Sequence, residues 1–449
     1  MKKRLLYGFL FVALALNLLV GGQIYSQASH AAEGDDPYSS LKLFTTVLER
    51  VRSEYVDSTK VGYRELVQAA LKGMLDTLDP HSEFMDQSKY QELKNDTSGE
   101  FGGVGIVVSM KSDFLTVVAP MEDTPGFRAG ILSGDRIMKI DGRSTERFTL
   151  PEAVKMLRGQ PGTSVTLSVL RPSNGQLKDY KLARAAIKVD TVKDISGHRD
   201  FPLSEHEIGY IRLTQFGEHS GDEFSDALKK LKDKGMKSMI LDLRGNPGGL
   251  LDQAVEICER FLPRNELVVT TEGREGRQRN EYKARGGDKY GNLPIVVLVN
   301  GGSASASEIV SGCLQDSTAK GLCKVVVLGE QTFGKGSVQS ILQLNDGSAL
   351  RLTTAKYYTP SHKVIHERGI TPDIIVPMSD EEEQNIYLKR APGGLESLEP
   401  KEREKVMNTH DVQLERAMDL LKSLTVYSSL WGLPEPAGSA VERVARGKQ

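Results

Sequence analysis

The sequence predicts an α/β core with a mixed sheet and helices, joined to a smaller, mainly β module and flanked by helical elements at both ends. Three observations carry this. Residues 190–377 alternate short β-branched runs with helix-compatible stretches, residues 98–187 break into short strands punctuated by glycine, and residues 41–97 and 411–424 carry apolar residues at helical spacing. The 449 residues leave room for about three domains. A composition of 39% hydrophobic and 26% charged residues is that of an ordinary globular protein. The net charge of −2 gives no electrostatic case for nucleic acid or an anionic membrane, either of which would want a basic stripe.

The N-terminus reads as a targeting segment. Lys2-Lys3-Arg4 precedes an almost wholly apolar run, Leu5–Val20, and small and polar residues follow up to Ala31. The run is short for a span of about twenty residues, and Ser29-x-Ala31 suits a signal peptidase. Residues 1–31 are therefore expected to be a cleaved export signal, or an N-terminal anchor serving the same compartment, periplasm or cell envelope. In the helical region 32–97, Leu43, Val47, Val51 and Tyr55 share a face, and a second helix lies around Leu66–Leu78. Leu78-Asp-Pro-His-Ser82 stops it, with His81 an ordinary turn residue. Residues 98–187 contain Phe101-Gly-Gly-Val104-Gly-Ile-Val-Val108, Ala129-Gly-Ile-Leu-Ser-Gly-Asp135, a helix at Leu150–Leu157 and a strand at Val165–Val169, the makings of a small half-open barrel.

In residues 188–377 the strands Ile208–Leu213, Ser238–Leu243, Leu267–Thr271, Pro294–Val299 and Lys324–Gly329 alternate with helices about Asp222–Leu231 and Leu250–Phe261. Ligand-binding loops of such sheets sit at strand ends, and Gly245–Gly249, Gly301–Ser305 and Gly334–Lys335 all fall there. The stretch 293–340 holds the chemistry. Gly301-Gly302 permits a sharp turn that lifts Ser305 ahead of a helix, where neighbouring N–H groups face the same space. The plain alternative is that Ser305-x-x-Glu308 is a capping box. Lys335, between glycines, is open to desolvation, which lowers an amine's pKa and makes it a base; Ser-Lys pairs replace Ser-His-Asp in some hydrolases. Gln339 reaches that amine if the backbone makes one turn there, and is otherwise a polar position at the start of a strand. A rival reading takes Gly329-x4-Gly334-Lys335 as most of a phosphate-binding loop, with Asp242 on the acidic strand. Against it, Gly336 stands where a magnesium-binding Ser or Thr belongs, and a hairpin follows (Val338–Leu344, Asn345-Asp346-Gly347, Ser348–Thr354) instead of a helix.

Other polar features are weaker. His362-x3-His366-Glu367 lacks a third metal-ligand pattern, and a histidine base for Ser305 is less economical than a solvated loop. Cys258, Cys313 and Cys323 make no disulfide framework; a Cys313–Cys323 bridge and buried free thiols both remain open. Residues 378–449 begin acidic, pass through a polar segment and carry an amphipathic helix, Asp411–Leu424, with Leu414, Ala417, Met418 and Leu421 on one face for the core or a partner subunit. The last dozen residues read as disordered.

The strings Asn300-Gly-Gly-Ser-Ala-Ser-Ala-Ser-Glu308, Gly329-Glu-Gln-Thr-Phe-Gly-Lys-Gly336, Leu241-Asp-Leu-Arg-Gly-Asn-Pro-Gly-Gly249 and Tyr357-Tyr-Thr-Pro360 resemble those of the carboxy-terminal processing (tail-specific) serine peptidases, and the likeness extends more weakly from about residue 41 to about 425. The resemblance implies an α/β Ser/Lys peptidase core over 188–377, with Ser305 the nucleophile, Lys335 the general base, Gln339 its orienting residue, and the N–H groups of Gly249 and Ala306 an oxyanion hole. It likewise implies a PDZ domain over 98–187, with Gly103, Val104, Gly105 and Ile106 forming the loop that captures a peptide C-terminus. No cofactor or metal is implied. The implied partners are proteins or peptides with exposed C-termini and a second copy of the chain, and a membrane only through an N-terminal anchor. One departure stands out: Ser317–Cys323 adds about five residues between nucleophile and base. A different class of reading keeps the compartment and makes the chain an exported PDZ-bearing binding protein whose peptidase core is inactive or latent.

Overall fold

The computed structural model describes residues 36–431, apart from 112, 122, 123, 173, 287, 288, 391–394, 396 and 397. The targeting segment and the chain's last eighteen residues, 432–449, lie outside the described residues. The chain divides into two compact units, Met1–Phe84 and Met85–Gln449. In the first, α1 (Pro37–Glu54) starts where Asp36 accepts the N–H groups of Tyr38 and Ser39, both at 3.1 Å, with proline at the first helical position. The expected apolar face exists, but Leu43, Val47, Val51 and Tyr55 are all exposed. Helix α2 (Tyr63–Asp76) follows. Among the described residues no helix is long and apolar enough to cross a membrane.

The second unit opens with α3 (Gln87–Ser98), which ends on Gly99 in the left-handed conformation that a helix C-terminus favours. Strand β1 (Glu100–Gly103) leads into an antiparallel sheet of β2 (Ile106–Lys111), β3 (Phe114–Pro120), β4 (Arg136–Ile140), β5 (Ser164–Arg171) and β6 (Gln176–Ala183), in that order. Helix α4 (Pro125–Arg128) is one turn, and α5 (Leu150–Leu157) begins in a Thr149–Glu152 capping box. These elements share their own core of Val104, Leu115, Val117, Ile137, Ile140 and Leu167. Strand β7 (Ala185–Lys188) returns to pair with β1.

The remainder is the α/β core: β8 (Val192–Lys193), β9 (Ile208–Leu213), α6 (Ser220–Asp233), β10 (Ser238–Asp242), α7 (Leu251–Cys258), β11 (Leu267–Gly273), β12 (Asn280–Lys283), β13 (Pro294–Val299), α8 (Ala306–Ala319), β14 (Lys324–Gly329), β15 (Ser337–Gln343), β16 (Ala349–Tyr358), β17 (Ile374–Ile375), α9 (Asp380–Arg390), α10 (Pro400–Asn408) and α11 (Val412–Trp431). The main sheet runs β8-β9-β10-β13-β14-β17, parallel except for β8. An antiparallel layer runs β15-β16-β11-β12.

Strand alternation explains why these runs look continuously apolar. On β13, Ile295, Val297 and Val299 pack with α6, α7 and α8, whereas Val296 and Leu298 pack on the opposite face with Ala417 and Leu421 of α11. The amphipathic helix foreseen near the C-terminus thus covers this chain's own sheet. Leu421 is 1% exposed there, and truncating such a leucine to alanine costs about 2–5 kcal/mol. Parallel β10, β13 and β14 are adjacent, so their carboxyl ends deliver the segments 243–249, 300–305 and 330–336 to one place.

Candidate active site

Ser305 sits in the turn between β13 and α8 with φ 53° and ψ −111°, a left-handed backbone that a residue with a side chain adopts at a strain of roughly 1–3 kcal/mol. Several bonds hold the turn. Asn300 Oδ1 accepts the N–H groups of Gly245 (2.8 Å) and Gly302 (3.1 Å), and Ser303 Oγ donates to the Leu243 carbonyl at 2.8 Å. The Asn246 carbonyl accepts Ala304 N–H at 3.0 Å and Ser307 Oγ at 2.9 Å. The 243–249 and 300–307 turns are therefore one construction.

The capping-box expectation is met, with an addition. Glu308 reaches back to the Ser305 N–H (Oε2, 2.8 Å). The same carboxylate accepts Lys335 N–H on Oε2 at 2.9 Å, and Gly334 N–H and the Thr332 hydroxyl on Oε1, both at 2.6 Å. Glu308 is fully buried, and burial raises its pKa against the pull of those four donors. One carboxylate thus ties the serine turn to the lysine loop. In the sequence it signalled only a cap.

Lys335 is half-buried, and among the described residues its amine has neither a hydrogen-bond nor an ion-pair partner. Desolvation, and secondarily the positive charge of Arg351, lowers its pKa, with Glu308 pulling the other way. Gln339 makes no hydrogen bond to this amine. The one-turn backbone that would carry it there is absent, because Ser337–Gln343 is strand; its amide donates to Thr353 Oγ1 at 2.9 Å and Ser337 Oγ at 3.1 Å. Tyr357, quoted only as part of a motif, is buried in the core, and that burial pushes its hydroxyl's pKa up to about 12.

Gly248 packs against the serine: a Cβ there would stand 2.8 Å from Ser305 Cβ and 3.0 Å from Ala306 N. Gly249 has φ 145°, and a Cβ would collide with the Phe216 carbonyl oxygen, so only glycine fits. Among the described residues the N–H groups of Gly249 and of Ala306, the first residue of α8, make no hydrogen bond. In the β module, Val104 is buried and its carbonyl accepts Gly126 N–H at 2.7 Å. The Gly105 carbonyl accepts Met121 N–H and Thr124 Oγ1, each at 2.9 Å. The 103–106 loop is thereby anchored through its carbonyls.

The remaining polar motifs resolve structurally. His362 Nε2 lies 3.0 Å from Glu272 and its ring stacks on Tyr358, and His366 Nε2 is 3.9 Å from Glu367. Among the described residues no three His, Cys, Asp or Glu side chains are grouped to hold a metal. Asp242 is committed to Arg244, Arg390 and Tyr210. Burial would raise its carboxyl, yet the two arginines hold it far below the usual range. Cys258, Cys313 and Cys323 are buried free thiols. The extra segment Ser317–Cys323 lengthens the far end of α8, about 20 Å from Ser305 at 1.5 Å rise per residue, too distant to disturb the serine turn.

Comparison with known proteins adds the following. The model of peptidase family S41 matches residues 207–376, and that of the PDZ domain matches residues 116–171. The chain is 43% identical over 380 residues to the carboxy-terminal-processing protease of Bartonella bacilliformis, covering 84% of this chain and 83% of that one. It is 36% identical over 372 residues to the carboxy-terminal processing protease CtpA of Bacillus subtilis, covering 82% and 75%. It is 35% identical over 385 residues to the carboxyl-terminal-processing protease of a Synechocystis species, covering 82% and 87%.

Proposed function

The chain belongs to the carboxy-terminal processing proteases of peptidase family S41, serine-type peptidases with a PDZ domain, and from that premise we propose an exported endopeptidase that selects protein C-terminal tails through the PDZ domain and cleaves by a Ser305/Lys335 acyl-enzyme mechanism. In this mechanism neutral Lys335 takes the Ser305 hydroxyl proton as the oxygen attacks the scissile carbonyl. The tetrahedral oxyanion is held by the N–H groups of Gly249 and Ala306, donors worth several kcal/mol when preorganised. Collapse breaks the C–N bond, Lys335 returns the proton to the leaving amine, and water then hydrolyses the ester by the same route.

The observation that carries this reading is the Glu308 carboxylate, shared between the backbones of Ser305 and Lys335 and leaving the lysine amine unpaired with a lowered pKa. Export is supported by the basic and apolar order of residues 2–31. Assembly with a second copy is supported by the exposed apolar face of α1, of a kind that marks interaction sites. In this reading Gly103–Ile106 captures the tail, and Gln339 supports Lys335 indirectly through the β15–β16 hairpin, which it ties at Thr353.

The test is mass spectrometry of an unstructured reporter with an apolar C-terminal tail, incubated with wild type, Ser305→Ala and Lys335→Ala. Cleavage by wild type alone is expected, with tail binding retained in both variants. Cleavage by Ser305→Ala overturns the assignment. Cleavage by none, with binding intact and no rescue by added tail peptide, points to a binding protein with an inactive core.

A further inference from the structure

A cavity of about 180 Å³ lies at the edge of the main sheet, between β8, β9 and the end of α9, and its wall holds three cationic residues, Lys193, Arg212 and Arg390, and one acidic residue, Asp194. Lys193 and Arg212 stand directly opposite each other in the antiparallel β8–β9 pair, a position where like charges are destabilising. Among the described residues neither side chain has an ion pair or hydrogen bond, and Arg212 Nε is buried without an acceptor. A buried charged donor left so is costly.

The carboxylates nearby are committed elsewhere. Asp194 faces its own turn, accepting the N–H groups of Ser196, His198, Asp200 and Phe201. Asp242, which pairs with Arg212 in the β9–β10 register, gives its oxygens to Arg244, Arg390 and Tyr210. Arg390 completes the wall, although Asp242 and Asp411 already balance it. Two unbalanced cations thus face a cavity several times larger than the roughly 30 Å³ of one water.

We propose that this cavity, walled by Lys193, Arg212 and Arg390, is a binding site for a small oxyanion of the phosphate or carboxylate class. The anion bridges Lys193 and Arg212, satisfies Arg212 Nε and secures the end of α9 against the sheet edge. The site is apart from Ser305 and from the PDZ loop, and does not depend on the catalytic reading.

Thermal denaturation of the full chain at constant ionic strength, titrated with inorganic phosphate or with acetate in place of chloride, tests it. A saturable rise in Tm is expected for wild type, with binding weakened about tenfold or more by Arg212→Gln and lost in Lys193→Gln/Arg212→Gln. The arm that gives the rise identifies the class. Without either anion, Lys193→Gln should be at least as stable as wild type, because it removes a like-charge pair; this readout stands even if Arg212→Gln fails to fold. Equal shifts in wild type and double variant, no saturable shift with either anion, or a lowered Tm for Lys193→Gln in chloride overturns the proposal.

Discussion

Replacing Glu308 by glutamine keeps the shape of the serine-lysine clamp and removes its charge. The carboxylate now satisfies four donors, two per oxygen. An amide offers one acceptor oxygen. In its less costly orientation the NH2 group faces Thr332, whose hydroxyl can turn to accept, and Gly334 N–H is orphaned. One buried orphan N–H costs about 1–3 kcal/mol, and the bonds to Ser305 and Lys335 lose their charge assistance. Relief of the burial penalty on Glu308 offsets part of this, leaving about 2 kcal/mol, which corresponds to roughly thirtyfold in kcat/KM if it falls on the placement of Ser305 and Lys335. The electrostatic consequence has the opposite sense. Glu308 raises the Lys335 pKa, so its neutralisation lets the amine lose its proton at lower pH. The expected Glu308→Gln enzyme is therefore slower, with the acid limb of its kcat/KM profile on a tail-bearing peptide displaced to lower pH. Wild-type kcat/KM, or an acid limb displaced upward, would refute the clamp.

The other expectations are as direct. The working form of Lys335 is the neutral amine and its pKa is lowered from 10.5, so activity should rise with pH through a limb below that value; Arg351→Gln removes a charge that lowers it and should move the limb up, and an unmoved limb in the pH–rate profile counts against the coupling. Gly249→Ala forces a Cβ into the Phe216 carbonyl and should lower kcat about 10²–10³-fold while tail binding, measured by fluorescence anisotropy, is unchanged. Asp411→Ala leaves Arg244 and Arg390 sharing one buried carboxylate and should destabilise the fold by about 3–5 kcal/mol in denaturant titration; a change under 1 kcal/mol speaks against the network.

Much of the site was legible in the sequence because its parts are local. Strands such as Pro294–Val299 are continuous apolar runs because both faces of the sheet are covered, and the glycines that follow mark turns only glycine can make. Ser305, Lys335 and Gly249 stand out by that punctuation. Gln339 is hydrogen-bonded to Thr353 and not to the lysine amine, because the direct bond needed a helical turn and the chain forms a bulged strand instead. Arg351 beside Lys335 and the joining of Arg244 and Arg390 through Asp411 carried no local signal, since those partners lie far apart in the chain.

By itself the sequence determined the order of elements, the glycine-bordered turns and the residue types available for nucleophile and base, since period, turn chemistry and side-chain identity are properties of short segments. Only the tertiary structure decided which of those segments meet. Adjacency of β10, β13 and β14 is a matter of sheet order, and it alone places the Leu243–Gly249 turn against Ser305. The double role of Glu308 was decided the same way. A carboxylate three residues after a serine at a helix N-terminus is a cap, and becomes a clamp only where folding brings a second loop's N–H groups within 3 Å of it.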